Sequence, residues 1–431
     1  MSENDRTDLI VVGAGLAGLA ASVFAARQGM RVTVLERASE EGGNARSNDF
    51  GGFVMNLGPR ALYPPAAKLL DELGVAYSGG RPALTGYALA DGRLHPMPDG
   101  AAALIRSALF DGSSGSDAGA ALAALTAADG ASLAHVSLAQ WADDRRLTGR
   151  ARAYVFALVR LAGYIDAADV LSAAAARAQV LEAVGGVRYL DGGWQSLVDG
   201  LARLATTNGV EIQRRARVEA VLSDGTGATG VRLADGAVVR APNVMLAVDP
   251  GTARSVLHRA GVTVPATTPV RAAALDLALS RLPNRDGGFI VALDRPLYLS
   301  VHSLAARLAP GDGAVVHVAR YLKPDERADP AAVRAELEWL MDLVQPGWRD
   351  AVVHQRFLSN MTVTHALPAA DTGGLAGRPS VAVEGLPGVF LAGDWVGEEH
   401  QLAGAALASA RRAAMLAAAR CAARSAARPL G

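Results

Sequence analysis

A four-residue apolar run opens onto a glycine turn, a second apolar run ends on Glu36, and a third, late in the chain, leads through a glycine turn into a helix at 389–409. Together these predict an α/β protein. Its first part is a Rossmann-like nucleotide domain assembled from separated stretches, and its second an α+β domain containing a helical part. The 431 residues suffice for two or three domains, and 51% hydrophobic against 19% charged residues provide a large core and exclude disorder. The 42 basic and 42 acidic residues cancel to +0, which excludes a whole-chain electrostatic footprint for nucleic acid. All the basic residues are Arg except Lys68 and Lys323, a skew we read as codon bias.

Leu9-Ile10-Val11-Val12 reads as a parallel strand covered on both faces, and Leu16 to Gln28 repeats apolar residues at helical spacing until Gly29. Val32-Thr33-Val34-Leu35 then completes a βαβ unit. The stretch Leu9 to Ala26 is long enough for a signal anchor, but its glycines and the acidic leader at residues 2–8 make it a buried strand, turn and helix. No other stretch is apolar for long enough to span a membrane. Cys421, the single cysteine, has no internal disulfide partner, which with the absence of a membrane span predicts a soluble, cytoplasmic protein.

Pro64 and Pro65 open a short helix stopped by Gly74, and Gly86 to Pro98 reads as a strand pair turning at Asp91-Gly92. Residues 100–184 are Ala-rich and helical in pattern, interrupted by an expected exposed loop at Asp111-Gly112-Ser113-Ser114-Gly115-Ser116. A helix from Ser196 to Thr207 precedes strands over Glu211 to Leu222, Val231 to Leu233 and Ala237 to Arg240, with Asp235-Gly236 predicting a type I′ hairpin. Val244 to Val248 is a buried strand that turns at Asp249-Pro250. Residues 251–370 mix strands with one amphipathic helix, which Asp329 caps and whose buried face carries Val333, Leu337, Leu340, Met341 and Val344. The strand Val389-Phe390-Leu391-Ala392 and a long helix from Leu402 close the chain.

Gly13-Ala14-Gly15-Leu16-Ala17-Gly18 places G-x-G-x-x-G between a strand and a helix. There Gly13 permits the tight turn, Gly15 lets a pyrophosphate approach the backbone, and Gly18 allows close helix–strand packing. The helix N-terminus favours phosphate charge, and Glu36, at the end of the second strand, suits ribose hydroxyls. A second G-x-G-x-x-G at Gly225, Gly227 and Gly230 lies between strands, with no helix after it, and reads as a hairpin loop. One dinucleotide is therefore expected.

Beyond Glu36-Arg37, the run Gly42-Gly43-Asn44-Ala45-Arg46 resembles the extended motif of the FAD-dependent amine oxidase superfamily, which includes phytoene desaturases and protoporphyrinogen oxidases. Asn56-Leu57-Gly58-Pro59-Arg60, Tyr189 to Leu197 and Phe390-Leu391-Ala392-Gly393-Asp394-Trp395 extend the likeness, as does the helix start Leu402-Ala403-Gly404-Ala405. The resemblance implies non-covalent FAD held by residues 13–18, Glu36, Arg37 and residues 42–46, with Arg46 as the phosphate-facing cation because Asn44 replaces the usual arginine. Leu57, Gly58, Pro59 and Arg60 would pass beside the isoalloxazine ring, Gly58 without a Cβ clash. It also implies Val218 at the adenine and Ala247 near the FAD. Gly393, Asp394 and Trp395, with Leu402 and Ala405, would lie at the polyol and ring, Asp394 accepting from hydroxyls. Residues 1–85, 185–250 and 371–431 would form the FAD domain, and 86–184 and 251–370 the substrate domain.

The sequence offers no catalytic triad and no Cys/His metal cluster, and hydride transfer to flavin N5 needs no protein nucleophile. No catalytic residue is assigned. Both lysines are expected to be exposed, which disfavours the family's lysine-dependent amine oxidases and favours a desaturase or porphyrinogen-oxidase-like activity on a small or medium organic molecule. Two other readings stand: a redox-neutral isomerase or cyclase, and an FAD-binding protein without turnover. Tyr298, His302, His317, Tyr321 and His365 are substrate-cavity candidates, with Arg60, Tyr63 and Trp395 nearer the flavin. A lipophilic substrate would allow peripheral membrane contact through Arg411, Arg412, Arg420, Arg424 and Arg428. The sequence has no signature of oligomeric state.

Overall fold

The computed structural model describes residues 7–83 and 85–426, so residues 2–6 of the acidic leader and Arg428 lie outside the described residues. Five parallel strands form the first sheet, in the order Val389–Leu391, Val244–Leu246, Leu9–Val12, Val32–Leu35, Glu211–Gln213. Its strands come from three distant stretches, as a discontinuous nucleotide domain requires. Both faces are covered, which is why the inner strands read as unbroken apolar runs. The helix Leu16–Arg27 packs against Gln195–Thr207 and Leu402–Ala426. Gly29 (φ +81°) follows the first of these in the left-handed region that glycine enters without a Cβ penalty.

A seven-stranded sheet forms the second part, in the order Val352–Thr364, Val270–Leu279, Ala314–Leu322, Leu297–Val301, Phe289–Ala292, Tyr87–Ala90, Arg93–Pro96. All neighbours are antiparallel except Phe289–Ala292 with Tyr87–Ala90. Alternate residues serve different cores: Leu297, Leu299, Val316 and Val318 face the helix Pro330–Val344. Tyr298, Ala319 and Tyr321 face the helical part, made of Ala101–Arg106, Ser114–Ala127, Leu138–Asp144, Gly149–Gly163 and Ala173–Val184.

Four local expectations change. Ser114 to Ser116 begin a helix instead of completing the loop, because Gly115 lets that helix close on Leu104, whose carbonyl would lie 2.3 Å from an added Cβ. The strand expected from Glu211 to Leu222 breaks at Arg215 (φ +58°), its halves joining different sheets. The Asp235-Gly236 turn is not type I′, since only Gly236 is left-handed and its N–H donates to Leu233 O at 3.0 Å. Asp91 and Gly92, both at positive φ, do carry the type I′ pattern. Finally, Asp249-Pro250 starts the helix Pro250–His258, with the Asp249 carboxylate accepting from Thr252 N–H at 2.9 Å.

Candidate cofactor and substrate site

A cleft of about 960 Å³ lies over the strand ends of the first sheet and reaches the second. Gly13, at φ +100°, turns so close to the neighbouring strand that a Cβ would sit 2.5 Å from Ala247 O. A Cβ on Gly18 would sit 1.9 Å from Gly13 O, so this residue sets helix–strand packing and does not itself line the cleft. Gly15 opens the first helix without a side-chain cap and meets only Gly42 O, at 3.9 Å, leaving the first-turn N–H groups facing the cleft beside Leu16 and Ala17. Ala14 is buried beneath it, its N–H donating to Glu36 Oε2 at 2.7 Å. Ala38 N–H donates to Glu36 Oε1 at 2.8 Å, so the carboxylate is held at the cleft wall by backbone donors.

Gly42, Gly43, Asn44 and Ala45 line the cleft, but Arg46 does not. Its guanidinium forms an exposed ion pair with Glu40 at 2.8 Å, and its stem covers Gly42, where a Cβ would lie 2.6 Å from Arg46 Cγ. The arginines on the cleft are Arg37, Arg60, Arg217 and Arg259. Gly58 is displaced from the cleft in the same way: Leu57, Pro59 and Arg60 line it, whereas a Cβ on Gly58 (φ +71°) would strike Met361 Sδ at 2.7 Å. The close approach that Gly58 permits is therefore to Met361, itself a wall residue. Asn56 is buried, its Oδ1 accepting from Ser47 Oγ at 2.7 Å and Trp194 N–H at 3.0 Å.

Val218, Ala247, Gly393, Asp394, Trp395 and Leu402 line the cleft; Ala405 is fully buried in the first turn of the final helix and does not line it. Leu402 (φ +53°) and His400 (φ +54°) lead into that helix through backbone that non-glycine residues rarely adopt. Trp395 is buried and its indole N–H donates to Val248 O at 3.0 Å.

Of the substrate-cavity candidates, only His365, Arg60 and Trp395 line the cleft. Tyr63 is tied to Ala162 O at 2.8 Å, Tyr298, His317 and Tyr321 are buried in the second sheet, and His302 is buried just past its strand Leu297–Val301. There His317 Nδ1 lies 2.6 Å from Asp276 Oδ1, and His302 is stacked on Tyr189 at 3.7 Å. Asp276 Oδ2 also accepts from both Arg356 and Gly58 N–H, so this buried carboxylate fixes the segment flanking Gly58 from behind.

Sequence reasoning missed Tyr164, Trp194, Leu358, Met361 and Val363, which also line the cleft, and Thr252, Ser255, Val256 and His258, which come from the unforeseen helix. An Asp followed by Pro at a helix start, the signal that located Pro330–Val344, was available at Asp249-Pro250. Burial lowers the Arg60 pKa against the opposing pull of Tyr164, Asp394 and Asp276, and its Nε has no hydrogen-bond partner among the described residues. Burial likewise pushes Tyr164 well above the ordinary phenol range. Lys68 and Lys323 are both exposed and neither lines the cleft. Among the described residues no group of three or more His, Cys, Asp and Glu is arranged to hold a metal ion.

The family model for flavin-containing amine oxidoreductases matches residues 16–277. The chain belongs to that family, which makes it a flavin-dependent oxidoreductase with FAD as its cofactor. The uncapped helix start, the glycine-walled cradle and the carboxylate held for hydroxyl donors suit that dinucleotide. Coproporphyrinogen III oxidase of Propionibacterium freudenreichii subsp. freudenreichii is 40% identical over 100 residues, 21% of this chain and 18% of that protein. Phytoene dehydrogenase of Streptomyces griseus is 49% identical over 57 residues, 13% of this chain and 11% of that protein. These matches therefore span less than a fifth of each relative. An oxidoreductase from Methanosarcina mazei has the same fold, with TM-score 0.73 and 17% identity over 93% of this chain and 98% of that one.

Proposed function

We propose that the chain oxidises or desaturates a small or medium organic molecule, with bound FAD supplying the chemistry by accepting a hydride at its N5. The supporting observation is the wall formed by Tyr164, Trp194, Leu358, Met361 and Val363. These side chains are apolar or aromatic, the half-buried Arg60 lines the same cleft, and both lysines are exposed elsewhere. Such a wall excludes water and orients a largely apolar substrate by one polar contact. Arg60 suits an oxygen-bearing, anionic substituent. The absence of a wall lysine favours a desaturase or porphyrinogen-oxidase-like activity over amine oxidation.

In the same reading, residues 13–17, Glu36 and Arg37 hold the diphosphate and adenosine half, with Gly42, Gly43, Asn44, Ala45 and Val218. Leu57, Pro59, Arg60, Ala247, Gly393, Asp394, Trp395 and Leu402 hold the flavin half. The FAD domain comprises 1–85, 185–250 and 371–431, extended to about 265 because Ala253, Val256, Leu257 and Val264 join its core. The remaining 86–184 and 266–370 form the substrate domain. We place the protein in the cytoplasm; no helix among the described residues is long and apolar enough to cross a membrane.

Anaerobic addition of a porphyrinogen, a polyene and a primary amine, each to the yellow holoprotein, tests this. Bleaching of the visible flavin band by either of the first two and not by the amine is the expected result. Bleaching by the amine alone overturns the preference, and turnover seen only with pre-reduced flavin selects redox-neutral chemistry.

A further inference from the structure

We propose that His365 is a flavin-positioning residue whose imidazole holds the Asp394 carboxylate in place for the polyol hydroxyls of FAD and makes FAD affinity depend on pH. The proposal rests on the flavin-site assignment above. His365 follows the strand Val352–Thr364 of the seven-stranded sheet, whereas Asp394 follows Val389–Leu391 of the parallel sheet. The pair therefore ties the two sheets together at the cleft wall, which both half-buried residues line. The tie has three strands. His365 Nδ1 lies 2.9 Å from Asp394 Oδ1, His365 N–H donates to that oxygen at 3.3 Å, and the Thr364 hydroxyl donates to Asp394 O at 3.4 Å.

The surroundings favour an imidazolium. Burial opposes the charge, but the bond to Asp394 and the nearby carboxylates of Asp394 and Asp249 outweigh it, and the His365 pKa is raised above its ordinary value. Asp249 caps the helix Pro250–His258, and Arg37 acts on it from the strand end at 32–35. Asp394 is also felt by Arg60 and Arg378, so the charged groups around the pair are two carboxylates and three guanidiniums. A protonated His365 makes a charge-assisted bond that fixes Asp394. As pH rises through its raised pKa, the proton leaves, the bond weakens to a neutral one and Asp394 is freer to turn away.

The test is the dissociation constant of FAD, read by quenching of flavin fluorescence on the refolded or stripped apoprotein between pH 6 and pH 9. The wild type is expected to lose roughly tenfold in affinity over that range. His365→Asn, which retains a donor without a titration, is expected to flatten the profile, and His365→Phe to give weak binding at every pH. Asp394→Asn should flatten it too, since the carboxylate is the other half of the bond. A merely structural histidine would weaken binding on substitution yet leave the slope intact. A flat wild-type profile, or an unchanged slope in His365→Asn, overturns the proposal. Wild-type protein that takes up no FAD at any pH overturns the flavin site itself, which is a different failure.

Discussion

The two sheets carry their functional information differently. In the parallel sheet the dinucleotide turn stands at the end of a short strand, so chemistry and sequence neighbourhood coincide: Gly13, Gly15 and Gly18 lie within one strand–helix unit. In the seven-stranded sheet the contacts that shape the cleft join positions from 41 to 308 residues apart. Asp276 receives Gly58 N–H, Arg356 and His317, and Arg356 reaches back to Asn48 and the Asn56 carbonyl. A dinucleotide needs a fixed backbone cradle, which local motifs can encode. A substrate wall needs side chains brought from several strands, which only the tertiary fold supplies.

If that contrast is right, breaking the long-range network should cost stability most. Asp276→Ala removes the carboxylate between His317 and Arg356 and should destabilise the protein by about 3–5 kcal/mol, because it leaves buried cationic and polar groups without their partner. Urea denaturation measures this. The pH dependence has a definite sign. Burial raises the Asp276 pKa, but His317 and Arg356 more than compensate, so in the folded state it lies below its ordinary value. Its stabilising contribution is therefore present at neutral pH and lost as pH falls below about 4 through the folded pKa. Wild type and Asp276→Ala should thus converge in stability under acid. Curves that stay parallel down to pH 3 would show that the network is not held by this charge.

Gly18→Ala probes the other side of the comparison. A Cβ 1.9 Å from a backbone carbonyl has no flexible neighbour to push aside, so helix Leu16–Arg27 must separate from the turn. Overpacking of this kind costs about 1–3 kcal/mol, and the displaced first turn should lose FAD more severely than it loses fold. Fluorescence titration and denaturation run on the same variant separate the two; equal loss of both would erase the distinction between cradle and scaffold. Glu36→Ala should cost a similar amount of stability and less FAD affinity. It strips the acceptor from the buried Ala14 N–H, which costs about 1–3 kcal/mol, and it should weaken FAD binding by roughly tenfold without changing the visible spectrum of the bound flavin.

Legibility in the sequence follows the same divide. The βαβ unit, the helix stopped at Gly74 and the helix capped by Asp329 were readable because strand runs, caps and left-handed glycines are local signals. Arg46 was misplaced because charge type is readable but direction is not: its ion pair with Glu40 turns it outward, while Arg37 reaches the cleft. Gly58 was expected to pass the isoalloxazine ring, whereas the close approach visible in the fold is to Met361, which comes from a strand about 300 residues later in the chain. Tyr164 was invisible for a third reason. It closes a helix at φ +61°, a position where glycine would be expected, and only the fold turns it into the wall.

The smallest expected effect concerns the lysines, and it bears on which member of the family this chain resembles in activity. Lys68 lies on the exposed face of the helix Pro64–Leu73, and Lys323 follows the strand Ala314–Leu322 with its side chain exposed; neither lines the cleft. A double Lys68→Met, Lys323→Met variant should therefore match the wild type in FAD affinity, in thermal midpoint and in the rate at which oxygen reoxidises the reduced holoprotein, followed by stopped-flow absorbance. An ammonium that governed reoxidation would have to stand at the flavin ring, and its loss would slow that step sharply. A slowed reoxidation in the double variant would mean that the loop after Leu322 or the short helix at 64–73 moves over the cleft. The wall beside Arg60 would then be only part of the substrate site, and the seven-stranded sheet would contribute a charge that its resting arrangement keeps at the surface.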